Sequence, residues 1–361
     1  MSNILTEHGI TLWDEEKIKR FRTTLLNWYD THKRDLPWRR TNNPYAIWVS
    51  EIMLQQTQVI TVIPYYKKFM ATFPSIQDLA NAPEDVLLKT WEGLGYYSRV
   101  RNMQSAAQQI VAHYNGQMPN TIEHIRTLKG IGPYTAGAIA SIAFNLPEPA
   151  IDGNVMRVMA RLFEINLDIA NPKNRKVFDY LMRQLIDPTR PGDFNQALMD
   201  LGSDICSAKN PKPELSPIKE FNAAYQNGTM SIYPIKEKKK KATDVFYTAY
   251  VIQDKNGAFL MQQRNNKGLL ANMWQFPMIE RKPVNSLSEE STPYHILHQQ
   301  EALGSITHLF SHLKWHVYLV PIQDSTFEGT WIHPKDFHKY PMGAPQLKLF
   351  DLLKQTNFKK N

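Results

Sequence analysis

Residues 128–140 read LKGIGPYTAGAIA, and this stretch predicts the fold of the first half of the chain. Gly130 and Gly132 stand two residues apart and are framed by apolar residues, as in a tight turn between two helices. Pro133 follows at the first position of the second helix, where its missing N–H costs nothing. The amides of such a turn can hold a DNA phosphate. Gly-x-Gly alone favours an ordinary helix connection, whereas the whole string favours DNA binding.

The composition indicates a multidomain globular protein. A length of 361 residues favours two or three domains, and 42% hydrophobic residues suffice for full-sized cores. A single cysteine indicates a reducing compartment. No signal peptide is evident and no apolar stretch is long enough to span a membrane, so we expect a cytoplasmic protein without a membrane partner. A net charge of +8 permits nucleic-acid binding, but a solvated lysine-rich surface would explain it equally well.

The first 228 residues are predicted to be helical, with short Gly, Pro or Asn breaks and with Asp14 capping the first long helix. The apolar periodicity stops over residues 229–243, which contain a run of lysines. We interpret this segment as a basic linker, most simply a solvated tether and alternatively a segment that lies along DNA.

From residue 244 the pattern changes to strands, which predicts a separate α+β domain over 244–361. VFYTAYVI and AFLMQQR flank the turn Asp254–Gly257 and are predicted to form a β-hairpin. A helix near 292–303, one alternating strand through ITHLFSHLKWHVYLV and a helix near 346–354 follow. The fold class is therefore multidomain, all-α and then α+β.

Glu51 lies in AIWVSEIML, where the only other polar residue is Ser50. Burial among apolar residues would favour the protonated carboxyl and suit a general acid. The alternative is a glutamate that turns outward on an amphipathic helix.

Asp152 precedes the helix in IDGNVMRVMARL and is most simply an N-cap. The helix dipole and amide donors would then lower its pKa and keep it anionic. Glu51 and Asp152 would together supply an acid and an anion, the division of labour that glycosidic bond cleavage uses.

The stretch WEGLGYYSRVRN (91–102) places two tyrosines before Arg99 and Arg101. Such a loop could wedge into a base stack and grip phosphates, or its tyrosines could pack an interhelical corner. Three histidines, at 308, 312 and 316, recur every four residues. They lie too far apart on a strand to share a metal, and on a helix Leu309 stands where a zinc protease needs Glu, so no metal site is predicted.

Taken together, these strings resemble the MutY family of adenine DNA glycosylases, within the helix-hairpin-helix (endonuclease III-like) superfamily. The matching strings follow in the family's order and approximate spacing through nearly the whole chain: DLPWRR (35–40), NPYAIWVSEIMLQQTQV (43–59), WEGLGYYSRVRN, LKGIGPYTAGA, IDGNVMRV (151–158) and FNQALMDLG (194–202). The resemblance implies a glycosylase domain over 1–228, with its helix-hairpin-helix at about 121–143. It also implies excision of adenine paired with 8-oxoguanine, or with guanine, in duplex DNA.

The resemblance implies a role for each matching residue. Glu51 would protonate adenine N7 and then help to position water. Asp152 would stabilise the oxocarbenium-like sugar through a covalent intermediate, and Tyr134 and Asn154 would support this pair. Two residues would enter the duplex as the base flips, Gln56 and Tyr96. Four would shape the adenine pocket, Trp38, Arg39, Leu54 and Gln196, and Thr57 would contact 8-oxoguanine. Gly130 and Gly132 would hold the DNA backbone, and carbonyls of the hairpin could hold a monovalent cation.

Tyr134 distinguishes between relatives. Endonuclease III-type enzymes carry a lysine here that forms a Schiff base and cleaves the strand, which a phenol cannot do. We therefore expect a monofunctional glycosylase that leaves an abasic site. The alternatives are a bifunctional endonuclease III-like glycosylase/lyase and a non-catalytic lesion-binding protein.

The C-terminal domain resembles the MutT-like (Nudix-like) domain of the family, including LLANMWQFP (269–277). The dense Glu motif of a Nudix hydrolase is not reproduced, so nucleotide hydrolysis is not expected. In the family this domain recognises 8-oxoguanine, and Phe310, Ser311 and His312 match its recognition loop; without the resemblance they would be an ordinary strand or turn edge.

The only cysteine, Cys206, begins a stretch that matches the family's iron–sulfur loop. Most members carry C-x6-C-x2-C-x5-C around a [4Fe-4S] cluster. From Cys206 that spacing falls on Pro213, Ser216 and Asn222. One thiolate cannot hold a cubane, so we predict no cluster and no other cofactor.

The cluster-less loop 206–222 is instead expected to be held by the packing of Leu215, Ile218 and Phe221, and to touch the DNA backbone through Lys209 or Lys212. The expected partner of the chain is double-stranded DNA that contains A:8-oxoguanine mispairs, bound by a monomer. The expected location is the bacterial cytoplasm, at the nucleoid.

Overall fold

The computed structural model describes residues 4–237, 241–281, 302–323 and 326–356. Contacts divide the chain into two units. The first contains the described residues up to Asn81 and from Arg101 to the basic linker, and the second contains Ala82–Val100 with the described residues beyond the linker. The segment Ala82–Val100, predicted within the helical domain 1–228, therefore groups by its contacts with the C-terminal residues.

The described residues before the linker form helices connected by short turns. Their bounds are α1 Ile4–Glu7, α2 Glu15–His32, α3 Pro44–Leu54, α4 Val59–Thr72, α5 Ile76–Ala80, α6 Glu84–Trp91, α7 Ser98–Tyr114, α8 Ile122–Thr127, α9 Pro133–Phe144, α10 Gly153–Leu162, α11 Arg175–Leu185, α12 Pro191–Asp204 and α13 Ala223–Gln226. Single 3₁₀ turns occur at Pro37–Arg39, Pro172–Asn174, Pro213–Leu215 and Lys219–Phe221.

A core of the first unit forms where the apolar face of α2 packs with α10, α11 and α12. The predicted cap of α2 is confirmed, because the Asp14 carboxylate accepts a hydrogen bond from Lys17 N. Phe21 and Leu25, one turn apart, are fully buried. Burying a side chain of this size stabilises the fold by roughly 2 kcal/mol, so this face fixes α2 against the helices that carry the site residues.

The predicted hairpin is present between α8 and α9. Gly130 has φ of +76°, and a Cβ there would lie 2.6 Å from Asn102 Cβ, so both the backbone and the space require glycine. Gly132 is the N-cap of α9 and Pro133 its first residue, as the sequence predicts. The turn thus carries the chain directly into the helix that holds Tyr134.

The second unit contains two sheets. Its strands are β1 Thr243–Val251, β2 Phe259–Gln263, β3 Trp274–Gln275, β4 Met278–Arg281, β5 Gly304–Leu309, β6 Leu313–Pro321 and β7 Thr330–Ile332. The sheet orders are β4-β1-β6-β5 and β3-β2-β7. A 3₁₀ segment (Pro334–Lys339) and helix α14 (Ala344–Gln355) follow, and α14 confirms the helix predicted near 346–354. The helix predicted near 292–303 lies almost wholly outside the described residues.

The prediction of a hairpin ladder between β1 and β2 was wrong beyond its tip. The turn itself forms, with Asp254 N donating to Ala258 O at 2.9 Å and Leu260 N to Ile252 O at 3.0 Å. The two strands then enter different sheets, because β1 pairs with β4 and β6 while β2 pairs with β3 and β7. Alternation within each strand does not encode its partner.

The single strand predicted through residues 306–320 was also wrong. The chain reverses at residues 310–312, and β5 and β6 pair antiparallel with His308 opposite Trp315. Phe310 N donates to Leu313 O at 2.7 Å and closes the turn. Phe310, Ser311 and His312 therefore lie at a tight loop between β5 and β6.

Within the described ranges, no helix combines the length and the apolar character that crossing a membrane requires.

Candidate active site

Glu51 lies on α3, whose residues Tyr45–Met53 are all buried. Glu51 is buried with them and is only 5% exposed. The pKa of Glu51 is raised from 4.5 to about 7, chiefly by burial and in smaller part by the charge of Asp152, while a hydrogen bond from Tyr134 and the charge of Arg39 act to lower it. The desolvation predicted from its apolar neighbours is confirmed, and the outward-turned alternative is excluded. A carboxyl with this pKa can both give and take a proton at neutral pH.

Tyr134 fixes the orientation of the Glu51 carboxyl. Its hydroxyl donates to Glu51 Oε2 at 2.6 Å and approaches Met199 Sδ at 3.7 Å. Burial and the neighbouring carboxylates raise the pKa of Tyr134 well above its usual value, so the phenol remains protonated and keeps donating. Glu51 also lines a cavity.

Asp152 is the N-cap of α10, as predicted, and its Oδ1 accepts from Val155 N at 2.7 Å. The predicted lowering of its pKa was wrong. Burial raises the pKa of Asp152, and the opposing hydrogen bonds from Val155 and Asn154 and the charge of Arg157 do not offset this. The sequence indicates the cap but not the burial of the carboxylate, which comes from the packing around it.

Arg157 orients the amide of Asn154. Arg157 Nη2 donates to Asn154 Oδ1 at 2.8 Å and to Gly202 O at 2.7 Å, and its Nε donates to Cys206 O at 2.8 Å. A guanidinium can only donate, so the amide oxygen of Asn154 must face Arg157, and its NH₂ is left to donate to Asp152. Arg157 lies within IDGNVMRV, but no signal in the local sequence indicates this role.

One cavity of about 190 Å³ joins the predicted groups of the first unit. Nine of the predicted residues line it: Trp38, Arg39, Glu51, Leu54, Thr57, Tyr134, Asp152, Asn154 and Gln196. We call it the base cavity. Three other predicted residues of this unit, Gln56, Gly130 and Gly132, do not line it; Gln56 has φ of +60°, a conformation uncommon for residues other than glycine.

Asp200, which no local sequence signal indicates, anchors one wall of the base cavity. It is 1% exposed and is paired with both Arg34 and Arg39. Arg39 binds it with two hydrogen bonds, from Nη1 to Oδ2 at 2.7 Å and from Nη2 to Oδ1 at 2.9 Å. The paired carboxylate holds the Arg39 guanidinium in a fixed plane beside the space for a base.

The two tyrosines of the second unit differ in exposure. Tyr96 fits the predicted exposed wedge, and Tyr97 fits the alternative of packing in a corner between helices. Tyr96 is 44% exposed with φ of +47°, whereas Tyr97 is buried and its hydroxyl accepts from Gly93 N at 3.3 Å. Arg99 does not project as a phosphate clamp: its Nη2 donates to the carbonyls of Leu94 and Gly95, and burial lowers its pKa to about 10. Arg99 thus braces the loop that presents Tyr96.

The recognition loop predicted at Phe310–His312 lies in the same unit as Tyr96. Ser311 Oγ donates to the Tyr96 hydroxyl at 3.3 Å. Phe310 packs edge-on against Trp315, with ring centroids 4.9 Å apart. The structure therefore brings two of the predicted lesion-binding groups, Tyr96 and Ser311, into contact.

The four positions of the family's cluster ligands converge on one small cavity. Cys206, Pro213, Ser216 and Asn222 all line it, but it holds only about 10 Å³, about the space of one water. Cys206 Sγ already accepts from Arg161 Nη1 at 3.2 Å, Pro213 has no donor atom, and Asn222 Oδ1 caps α13. These residues do not fit an iron–sulfur cluster.

The loop is held by packing, with one correction to the prediction. Ile218 and Phe221 are buried in the core of the first unit, as expected, but Leu215 is 64% exposed. Lys209 and Lys212 are exposed. Among the described residues, no group of three or more His, Cys, Asp or Glu has the geometry of a metal site.

Comparison with known proteins identifies the family. Residues 49–184 match the HhH-GPD superfamily of base excision DNA repair proteins, and residues 248–352 match the NUDIX domain. An adenine DNA glycosylase of Homo sapiens is 35% identical over 93% of this chain and 74% of its own length. The chain belongs to the adenine DNA glycosylase family. It is thus a DNA N-glycosylase of base excision repair.

Two further adenine DNA glycosylases are similar to this chain. An adenine DNA glycosylase of Buchnera aphidicola subsp. Baizongia pistaciae is 39% identical over 84% of this chain and 85% of its own. The enzyme of Arabidopsis thaliana is 38% identical over 85% of this chain, which spans 58% of that relative's length.

Two solved structures of other proteins share the helical fold. A thermostable thymine-DNA glycosylase matches with a TM-score of 0.53 and 28% identity, over 59% of this chain and 98% of its own. An endonuclease III–DNA covalent intermediate matches with a TM-score of 0.51 over 60% of this chain and 99% of its own. At 18% identity the latter shows only the fold.

Proposed function

We propose that the protein removes adenine paired with 8-oxoguanine, and with guanine, from duplex DNA and leaves an abasic site. The observation that carries this proposal is the pair Glu51 and Asp152 in one cavity, with a pKa of about 7 for Glu51. A neutral carboxyl can donate to a base nitrogen, and a carboxylate can stabilise a cationic sugar.

The reaction would proceed in two steps. Glu51 protonates adenine N7 as the C1′–N9 bond breaks, and the bonding electrons leave with the base. Asp152 stabilises the positive charge on the sugar; a buried carboxylate, poorly solvated by water, gains more from a cation that forms beside it. Water then adds to C1′ and its proton returns to Glu51, which restores the starting state.

Tyr134 supports a reaction that ends at the abasic site. A lyase needs an amine that attacks C1′, and the phenol at this position instead donates to Glu51. Incubation with duplexes that contain A:8-oxoguanine, A:G or A:T, assayed with and without alkali, tests this. We expect strand breaks only after alkali and only with the two mispairs; breaks without alkali would indicate a lyase, and binding without release of adenine would indicate a lesion-binding protein.

We also propose that the enzyme contains no iron–sulfur cluster, because one thiol in a closed cavity cannot ligate it. Iron and sulfide analysis of aerobically and anaerobically purified protein tests this, and we expect far less than one iron per chain. The Cys206→Ser variant should excise adenine at the wild-type rate. We propose further that carbonyls of the hairpin turn hold a monovalent cation. We also propose that the enzyme acts as a monomer and at the bacterial nucleoid.

A further inference from the structure

A second cavity adjoins the base cavity in the first unit. It measures about 580 Å³, against about 190 Å³ for the base cavity. We call it the rear chamber. Its exposed lining residues Asn42, Asn145 and Thr189 show that it opens to solvent. Four side chains line both cavities and therefore form the wall between them: Arg34, Arg39, Ile142 and Gln196.

Apart from Arg39 and Gln196 of the wall, which were assigned to the adenine pocket, none of the residues assigned to the DNA backbone or the lesion lines the rear chamber. Thr57 and Asn154 line only the base cavity, and Gln56, Gly130 and Gly132 line neither cavity. A molecule that passes the wall would therefore reach solvent without passing Thr57, Gln56 or the hairpin glycines, which are the residues of this unit assigned to the DNA backbone and the lesion.

The wall has a fixed part and a part able to move. Arg39 is held by two hydrogen bonds to the buried Asp200. Gln196 and Ile142 are half-buried, and the Gln196 side chain makes no hydrogen bond to any residue that the structure describes. A half-buried side chain without a hydrogen bond, such as that of Gln196, is able to change rotamer faster than a catalytic cycle.

The charges of the rear chamber suit the passage of a neutral molecule. Four of the five basic residues that line it are ion-paired with carboxylates: Arg34 and Arg39 with Asp200, Arg40 with Asp35, and Arg190 with Asp30 and Asp193. Paired charges still offer hydrogen bonds to a polar solute but hold no anion strongly. Free adenine is neutral, planar and polar.

We propose that the rear chamber is the exit route of the excised adenine, past Gln196 and Ile142, while the abasic duplex still occupies the other entrance. This rests on the adenine excision proposed above. It lets the base leave without dissociation of the DNA, so the two products depart independently.

Tryptophan variants test the route. Ala143, the penultimate residue of α9, lines only the rear chamber, so Ala143→Trp should obstruct it. Ala71, the penultimate residue of α4, is exposed and lines neither cavity, so Ala71→Trp is the matched control. Asn42→Trp obstructs the same chamber from a different segment and decides the test if Ala143→Trp does not fold.

Each enzyme is mixed in excess with an A:8-oxoguanine duplex carrying labelled adenine. Abasic sites are counted after alkali, and free adenine is counted in the filtrate of a membrane that retains protein and DNA. We expect abasic sites to form at one rate in all variants. Adenine should reach the filtrate roughly tenfold more slowly in the obstructed variants, and at the wild-type rate in Ala71→Trp. Unchanged release from both obstructed variants would refute the route, whereas absence of abasic sites in the wild type would refute the proposed function itself.

Discussion

The pKa of Glu51 sets the expected pH dependence of excision. Burial raises this pKa to about 7, so the protonated acid is lost as the pH rises through that value. The single-turnover rate should be level just below pH 7 and fall about tenfold per pH unit well above it. At acid pH the rate should fall again as Asp152, whose pKa burial also raises, becomes protonated.

The pH profile is measured with enzyme in excess over an A:8-oxoguanine duplex. Binding of the same duplex, measured by anisotropy, separates a loss of chemistry from a loss of affinity. Glu51→Gln should bind with nearly wild-type affinity but show no excision at any pH, because the amide keeps the shape and lacks the proton. A level profile from pH 6 to 9 would remove Glu51 from the role of acid.

The same burial makes Glu51 costly for the stability of the fold. Its folded pKa lies above its unfolded value, so the folded chain retains a proton that the unfolded chain releases between about pH 4.5 and 7. Stability therefore falls as the pH rises through this window, by about 3 kcal/mol at most, from about 1.4 kcal/mol per pKa unit.

Glu51→Gln removes this pH-dependent cost. The variant should match the wild type in urea unfolding at pH 4.5 and exceed it at pH 8, where Glu51 is ionised in both states. Glu123→Gln, an exposed change on α8, is the control and should follow the wild type at both values. The desolvation of Asp152 is common to all three proteins, and its repulsion of an ionised Glu51, which Glu51→Gln removes, changes stability in the same direction. Equal stability of wild type and Glu51→Gln at pH 8 would contradict the assignment.

Helix α10 carries two arginines one turn apart, Arg157 and Arg161, and the second can serve as a control for the first. Arg157 and Arg161 both donate to Cys206 O, but only Arg157 also reaches Asn154. Arg161 instead donates to Tyr233 O and Ser207 O. Both arginines hold the start of the loop after α12, and one of them also orients a group beside Asp152.

Arg157→Gln should therefore slow excision, and Arg161→Gln should not. Both variants should lose about 2–4 kcal/mol of stability, because buried carbonyls lose their donors. At a temperature where both are folded, the single-turnover rate of Arg157→Gln should fall roughly tenfold or more while duplex affinity stays near wild type. Equal rates in the two variants would leave Arg157 with a purely structural role.

The helical elements were predictable from the sequence because their signals are local. The Asp14 cap, Pro133 at the start of α9 and the glycine at φ of +76° each act within one turn of the chain. The strands were less predictable. β1 alternates as expected, but its partners β4 and β6 lie about 30 and 70 residues away, and pairing over such distances depends on the packing of the whole sheet.

In the candidate site too, features set by local sequence were predictable and features set by distant packing were not. The burial of Glu51 follows from its immediate neighbours, whereas the burial of Asp152 depends on helices distant in sequence, so its pKa was predicted in the wrong direction. Asp200 and Arg157 had no local signal, because their partners Arg39, Asn154 and Cys206 lie on other segments or become partners only in the folded helix.

At the scale of the whole molecule, the second unit should contribute preference for the lesion and not the chemistry. Every described residue of the base cavity belongs to the first unit. The second unit carries the exposed Tyr96 and, 3.3 Å from its hydroxyl, Ser311 Oγ on the tight loop between β5 and β6. The Ser311 hydroxyl can both donate and accept, as contact with a base edge requires.

Ser311→Ala should lower the excision of adenine opposite 8-oxoguanine by roughly fivefold to tenfold, the loss of one hydrogen bond, and leave excision opposite guanine unchanged. Ser305→Ala is a matched control, since Ser305 lies on β5 of the same sheet but away from the loop. Single-turnover rates on the two mispairs, compared as a ratio, give the measurement. A parallel loss on both mispairs would mean that Ser311 acts on the loop or on Tyr96 as a whole, because a contact specific to the lesion cannot slow a reaction in which the lesion is absent.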